Sequence, residues 1–111
     1  MAKKKRRRTS GRWLLDDEAV IILRGGDVIA HVHVIEKSFS VETEDLGRAI
    51  IPTKVIKHIT YKDSRHLTDE LVTVGGSIFH GNVLPERVRV RPEEQGDVLK
   101  LAKAKISGIT W

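Results

Sequence analysis

The chain has 111 residues, no cysteine and a formal net charge of +5. A unit of about 40–50 residues rarely buries enough apolar surface to fold alone, so this length indicates one domain or two small units that share a core. Without cysteine, neither disulfides nor thiolate metal sites can add stability. The apolar residues are mostly Val and Ile, whose branched β-carbons favour strands.

The positive charge is concentrated at the start of the chain, in residues 1–12, MAKKKRRRTSGR, which include no acidic residue. Without their seven basic residues, 13 basic and 15 acidic residues remain, so the rest of the protein is mildly acidic. Because like charges repel, this segment is predicted to be a disordered arm that attracts nucleic-acid phosphates, anionic lipid or acidic protein surfaces. Its basic residues are Lys3, Lys4, Lys5, Arg6, Arg7, Arg8 and Arg12.

The residues that follow the arm argue against a signal peptide or a membrane span. Asp16, Asp17 and Glu18 interrupt the apolar run, and both kinds of segment need an unbroken one. We therefore expect a cytoplasmic protein. The apolar residues 13–15, WLL, are predicted to anchor the first strand to the core, with stacking on bases or insertion into lipid as alternatives.

Residues 13–61 are predicted to form the first of two β-barrel repeats. Short apolar alternations separated by turn residues predict five strands, at about 19–24, 27–36, 38–43, 48–51 and 56–61. The pair Gly25-Gly26 is expected to form a tight hairpin turn, since glycine adopts positive φ without a steric cost.

A polar linker, residues 62–70, leads to the second β-barrel repeat over residues 71–111. Its strands are predicted at about 70–74, 77–84, 87–91, 97–101 and 106–111. The closing stretch AKISGITW repeats KVIKHITY of the first copy, so Tyr61 aligns with Trp111. Two copies are too few for a propeller or solenoid. We expect two similar five-stranded units that share a core.

Side chains alternate between the two faces of a strand, so each predicted strand has an inward phase. Eight apolar residues are assigned to that phase and are predicted to be largely buried. They are Val28, Val32, Val34, Ile56, Ile59, Ile78, Ile106 and Ile109.

The stretch VTVGGSIFHGNVL places Gly76 at a turn and Gly81 five positions later. This glycine spacing and the five-strand order resemble the Sm-like small β-barrel family, in which a turn glycine is followed by another glycine five positions later, and the resemblance covers nearly the whole of both repeats. The spaced aliphatic positions of the family's second motif are Ile51, Ile56 and Ile59 in the first copy and Leu101, Ile106 and Ile109 in the second. The chain is also similar to short barrel repeats of bacterial proteins. The resemblance implies an all-β fold of two tandem Sm-like five-stranded barrels.

The residues that bind RNA in the Sm family are not found in this chain. That family binds bases with an arginine of the second motif and an asparagine of the first. The arginine position is occupied by Pro52 in one copy and Ala102 in the other, and neither copy has the asparagine. The resemblance therefore implies the scaffold and not the RNA pocket, and a scaffold alone does not give a function.

The stretch RVRVR places Arg87, Arg89 and Arg91 on one face of a predicted strand and two valines on the other. Arginine forks suit phosphate or carboxylate partners, so this face is a candidate nucleic-acid contact. The alternative is a salt-bridged outer face in which the arginines pair with Glu86, Glu93 and Glu94.

The stretch HVH likewise projects His31 and His33 from one face. Zinc needs at least one further ligand, so polar alternation on an outer sheet face explains the pair and no metal site is predicted. Cysteine nucleophiles, phosphate-binding glycine loops and GxSxG elbows are also lacking in the sequence. We therefore predict a non-enzymatic protein without a cofactor.

Two functions are consistent with these features. The first is binding of RNA or DNA, mainly without sequence preference, through the basic arm and the RVRVR face. The second is a structural or assembly module, such as a virion or other particle subunit, whose arm contacts acidic surfaces of partners or neighbouring copies. The acidic body favours the second function, and the arm together with RVRVR favours the first.

Overall fold

The computed structural model describes residues 18–92 and 96–111. The predictions for the arm, for residues 13–15 and for Glu93 and Glu94 fall outside these ranges. Within them the chain has ten strands, two three-residue 3₁₀ turns and no α-helix, which confirms the all-β prediction. The same residues contain no helix long and apolar enough to cross a membrane.

The strands follow the two sequence repeats, five in each half. They are β1 (Glu18–Leu23), β2 (Val28–Val34), β3 (Ser38–Thr43), β4 (Gly47–Pro52), β5 (Ile56–Thr60), β6 (Asp69–Thr73), β7 (Ile78–Leu84), β8 (Arg87–Pro92), β9 (Leu99–Ala102) and β10 (Ile106–Thr110). The 3₁₀ turns, Thr53–Val55 and Lys103–Lys105, stand before the last strand of each half.

The first hairpin of each half is closed by the same glycine turn. Gly26 has φ +97° and Gly76 has φ +96°, a region in which only glycine is free of steric strain. The Leu23 N–H donates to the Asp27 carbonyl at 2.8 Å, and the Thr73 N–H donates to the Ser77 carbonyl at 2.9 Å. The turn predicted from the paired glycines is therefore present in both halves.

All ten strands belong to one curled antiparallel sheet, in the order β4-β3-β7-β6-β5-β10-β1-β2-β8-β9. Replacing each strand by its equivalent in the other half reverses this order, so the sheet has a pseudo-twofold arrangement about the β5–β10 pair. The run β4-β3-β7-β6-β5 combines three strands of the first half with two of the second, and the other run has the opposite composition. The two halves thus exchange their first hairpins.

Tyr61 and Trp111 occupy equivalent places, as the repeat predicts. The Tyr61 N–H donates to the Ser107 carbonyl at 2.9 Å, and the Trp111 N–H donates to the Lys57 carbonyl at 3.0 Å. Each residue follows the fifth strand of its own half and is held by the fifth strand of the other half. These two hydrogen bonds extend the pairing of β5 with β10 beyond the end of each strand.

Six of the eight predicted core residues are buried, and two are not. The buried ones are Val32, Val34, Ile56, Ile59, Ile106 and Ile109. The prediction was wrong for Val28 and Ile78, which are 58% and 56% exposed.

A bulge in β2 explains the exposure of Val28. Ala19 pairs with Val32 and Ile21 pairs with Ile29, so β1 has one residue where β2 has two. His31 lies in the bulge with φ +58°. Because the extra residue reverses the alternation, Ile29 rather than Val28 faces the core.

In β7 the predicted inward phase is wrong by one residue, so the side chain predicted to face the core faces solvent. Leu71 pairs with Phe79 and Asp69 pairs with Gly81, without a shift. Val83 is fully buried and Phe79 packs against the core. Ile78 is therefore on the opposite face.

Candidate nucleic-acid interface

The three arginines of RVRVR lie side by side on the exposed face of β8. Arg87, Arg89 and Arg91 are exposed, while Val88 and Val90 between them are fully buried. The predicted alternation is therefore confirmed. It places the three arginines at backbone positions about 6.6 Å apart, two residues per step, along the strand.

The middle arginine is held by a carboxylate. Arg89 donates from Nε to Glu36 Oε2 at 3.0 Å, from Nη2 to Oε1 at 3.1 Å, and from its backbone N–H to Oε2 at 3.1 Å. This hydrogen bonding lowers the pKa of Glu36 and, together with the carboxylate charge, raises the pKa of Arg89. Arg89 thus ties β8 to the segment between β2 and β3.

The salt-bridged interpretation of this face is correct for Arg89, but with a different partner from those expected. Glu36 takes the place assigned to Glu86, and Glu93 and Glu94 lie outside the described residues. Within the part of the chain that the structure describes, Arg87 and Arg91 form no ion pair.

Arg91 lines a groove of about 670 Å³, here called the basic groove. Three cationic side chains line it, Lys37, Lys54 and Arg91, against the single carboxylate of Glu36, which is already bonded to Arg89. Its remaining lining residues are His33, Val34, Ile35, Pro52, Thr53 and Trp111. The groove therefore combines a net positive charge with an aromatic ring.

Two hydrogen bonds bring Lys37 and Lys54 to the same groove. Thr53 donates its N–H to the Lys37 carbonyl at 2.9 Å and its hydroxyl to the Glu36 carbonyl at 2.7 Å. Pro52 ends β4, and the 3₁₀ turn that follows presents Lys54. Lys37 lies just before β3 and Lys54 just after β4, so the β3–β4 hairpin brings the two lysines close together.

Trp111 forms part of the groove wall. Its ring packs edge-on against Phe39, with centroids 6.1 Å apart and planes at 77°. Its Nε1 is buried without a hydrogen-bond partner among the described residues, so the indole is held by packing. An aromatic ring fixed beside cations can stack with a base while the cations hold its phosphates.

The equivalent position in the other half is a smaller cavity of about 370 Å³ beside Tyr61, with different chemistry. There Lys103 is buried, and its Nζ donates to Asp69 Oδ2 at 2.8 Å, Asn82 Oδ1 at 2.7 Å and the Val83 carbonyl at 2.7 Å. Burial, followed by the nearby Asp69 charge, raises the pKa of the Tyr61 phenol. This lysine is engaged inside the protein, whereas Lys37 and Lys54 line an open groove.

The paired histidines lie in different surroundings. His31 lies in the bulge, with Nδ1 3.4 Å from Glu18 Oε1, and His33 is half-buried beside the basic groove. No group of three or more potential metal ligands occurs among the described residues.

Asp63 and His66 of the linker form a turn. Asp63 Oδ1 accepts the Arg65 N–H at 2.8 Å, and the His66 N–H and Nδ1 at 3.0 Å. These bonds, the first above all, lower the pKa of Asp63 to about 2. The carboxylate thus caps an exposed loop.

The structure brings one predicted site residue, Arg91, together with three that the sequence patterns did not single out: Lys37, Lys54 and Trp111. The equivalence of Tyr61 and Trp111 was the available signal, since it marks matching positions in both halves. Comparison with known proteins found no matching family model, no similar curated protein and no similar solved structure.

Proposed function

We propose that this chain is a cytoplasmic, non-enzymatic protein that binds RNA or DNA mainly through phosphates and without sequence preference. The observation that carries the proposal is the basic groove, which is lined by Lys37, Lys54 and Arg91 and by the Trp111 ring. Lys and Arg attract phosphates by releasing condensed counterions, and an aromatic ring accepts any base.

Two further features support the same function. Arg87 extends the positive face from the groove along β8, and the Arg89–Glu36 pair neutralises the groove's carboxylate. Residues 3–8 of the arm add six adjacent cations, which strengthen binding to any polyanion in a salt-dependent way.

We also propose that each five-stranded run is a small barrel of the Sm-like type, completed by exchange of the first hairpins. The strand order supports this proposal. When the strands are numbered from one to five within each repeat, both runs have the spatial order four, three, two, one, five. A 3₁₀ turn before the fifth strand occurs in both halves.

The second candidate function is an assembly module whose arm contacts acidic protein surfaces. It is favoured by a groove at the β3–β4 hairpin, lined by Glu44 and Asp45 together with exposed apolar side chains. That chemistry suits a basic segment rather than a nucleic acid.

The test is an anisotropy titration of a labelled 20-nucleotide single strand with the full chain and two triple variants. Replacing Lys37, Lys54 and Arg91 by Gln should weaken binding at low salt by about 10-fold or more, since three phosphate contacts are lost. Replacing Lys57, Lys62 and Lys105 by Gln removes the same charge from exposed positions outside the groove. Equal losses in the two variants would refute the groove as the binding site.

A further inference from the structure

A second groove opens where the β3–β4 hairpin separates from β7. Pairing of β3 with β7 ends at Glu42 and Asn82, while β3 stays paired with β4 as far as Thr43 and Gly47. The space between the hairpin tip and β7 is a groove of about 840 Å³. We call it the hairpin groove.

The hairpin groove has an apolar lining that is open to solvent. Leu46 is 74% exposed, Leu67 is 93% exposed and Ile78 is 56% exposed, and all three line it. Single exposed apolar residues are common, but several in one groove indicate a surface that is covered by another segment.

The rim of the groove is acidic. Glu42 is bonded to Arg48 at 2.6 Å and to Asn82 at 3.4 Å. Glu44 and Asp45 line the groove as well and form no ion pair with another described residue. The groove therefore presents two unneutralised carboxylates beside apolar side chains.

One segment of this chain matches that combination, and it lies outside the described residues. Residues 3–12, KKKRRRTSGR, carry seven cations. Lys and Arg stems cover apolar surface while their charged ends reach carboxylates.

The segment is long enough to reach the groove of its own chain. The strand register places Ile78 four strands from Val20 across the sheet, which is about 20 Å at roughly 4.8 Å per strand. Ten residues separate Arg8 from Glu18, and an extended chain of that length spans about 33 Å. The cations from Arg8 to Arg12 are therefore within range.

We propose that residues 3–12 dock in the hairpin groove of the same chain, with arginines on Glu44 and Asp45 and with the arginine stems on Leu46 and Leu67. This docking does not depend on nucleic-acid binding. The two would use the same cations, so a bound polyanion and a docked arm exclude each other.

The test uses the absence of native cysteine. One variant of the full chain carries Ser10→Cys with Thr68→Cys, whose position lines the hairpin groove. The matched control carries Ser10→Cys with Val28→Cys, an exposed position one strand from β1 and therefore nearer the origin of the arm. Intramolecular disulfide formation is followed over time on non-reducing gels at low micromolar protein, without nucleic acid.

The expected result is that the Thr68→Cys pair closes about 10-fold faster than the Val28→Cys pair, because docking raises the local concentration of residue 10 at the groove. Adding Glu44→Gln and Asp45→Asn, or about 1 M salt, should lower the rate to that of the control. Equal rates for the two pairs, or a rate unaffected by the charge changes, would overturn the proposal. Disulfide-linked dimers as the main product would also overturn it, since the occupant would then be a second copy's arm.

Discussion

At the scale of single residues, the most consequential group is the buried Lys103 ammonium. Its three acceptors are Asp69 of β6 and, in β7, Asn82 and the Val83 carbonyl, so it joins the second 3₁₀ turn to two strands. Asp69 is satisfied in turn by the N–H groups of Lys62 and Val83 at 2.8 Å each. A buried ion pair adds little net stability when both partners are present. Removing one partner destabilises the protein, because the other charge stays buried without compensation.

The first prediction is that Lys103→Thr alone costs about 3–5 kcal/mol of unfolding free energy, because Asp69 becomes an uncompensated buried charge. The double change Lys103→Thr with Asp69→Ala should recover most of that loss. Ala19 and Thr53 already occupy the equivalent positions of the first half. Urea unfolding measures both, and a double variant no more stable than the single one would contradict this account.

The Arg89–Glu36 pair predicts a pH dependence of stability. The pKa of folded Glu36 lies below its usual value of 4.5, so the pair stabilises the protein above that pH and the stability is lost as pH falls through the folded pKa. Arg89→Gln should therefore flatten the acid side of the stability curve below about pH 4.5. Arg87→Gln, which removes no described ion pair, should leave it as steep as in the unchanged protein; equal slopes for both variants would count against the pair.

At the scale of elements, the backbone of β3 approaches β7 closely at Gly81. A Cβ built at this residue would lie 2.2 Å from the Glu42 carbonyl oxygen, so glycine is required by the neighbouring backbone. The spacing from Gly76 to Gly81, noted in the sequence as a family-like motif, thus has a physical cause in this fold. Gly81 also lies where the hairpin groove begins, just beyond the last β3–β7 pair.

The third prediction is that Gly81→Ala destabilises the protein by about 1–3 kcal/mol, since backbone must shift to admit the methyl group. Gly25→Ala is the control, because nothing lies within 4 Å of a Cβ there and the change should stay within about 0.5 kcal/mol. Thermal or urea unfolding distinguishes them. A neutral Gly81→Ala would show that the two strands are not this close.

Much of the element pattern could be predicted from the sequence, because alternation and glycine turns are local. The bulge at His31 could not, since it depends on the register of β2 against β1. The register pairs Ala19 with Val32 and Asp69 with Gly81, so Gly81 corresponds to Val32 and not to His31, although His31 follows Gly26 at the same spacing as Gly81 follows Gly76.

At the scale of the whole molecule, hairpin exchange makes the strand pairing cross the repeat boundary. The predicted boundaries 13–61 and 71–111 follow sequence similarity and remain a prediction, whereas the neighbouring strands β3 to β7 form one continuous segment, residues 38–84. A repeat pattern specifies equivalent strands but not which copy each one pairs with. The basic groove depends on that pairing as well, because Arg91 stands opposite His33 of the other half.

The fourth prediction concerns fragments of the chain. Residues 38–84 contain the β3–β4, β3–β7, β5–β6 and β6–β7 pairs. Residues 13–61 contain only β1–β2 and β3–β4 among the described pairings. By far-ultraviolet circular dichroism the first fragment should keep more strand structure than the second, and the opposite ranking would speak against the exchange.

The central claim, phosphate binding by the basic groove and arm, is tested most directly by the salt dependence of binding to a 20-nucleotide single strand. For the full chain, the six adjacent cations of residues 3–8 alone give a slope of log K against log salt of about −4 to −5. Deleting residues 1–12 should leave a shallower slope of about −2, carried by Lys37, Lys54 and Arg91. No binding by the full chain at low salt, or a slope unchanged by both the deletion and the groove triple variant, would contradict the claim.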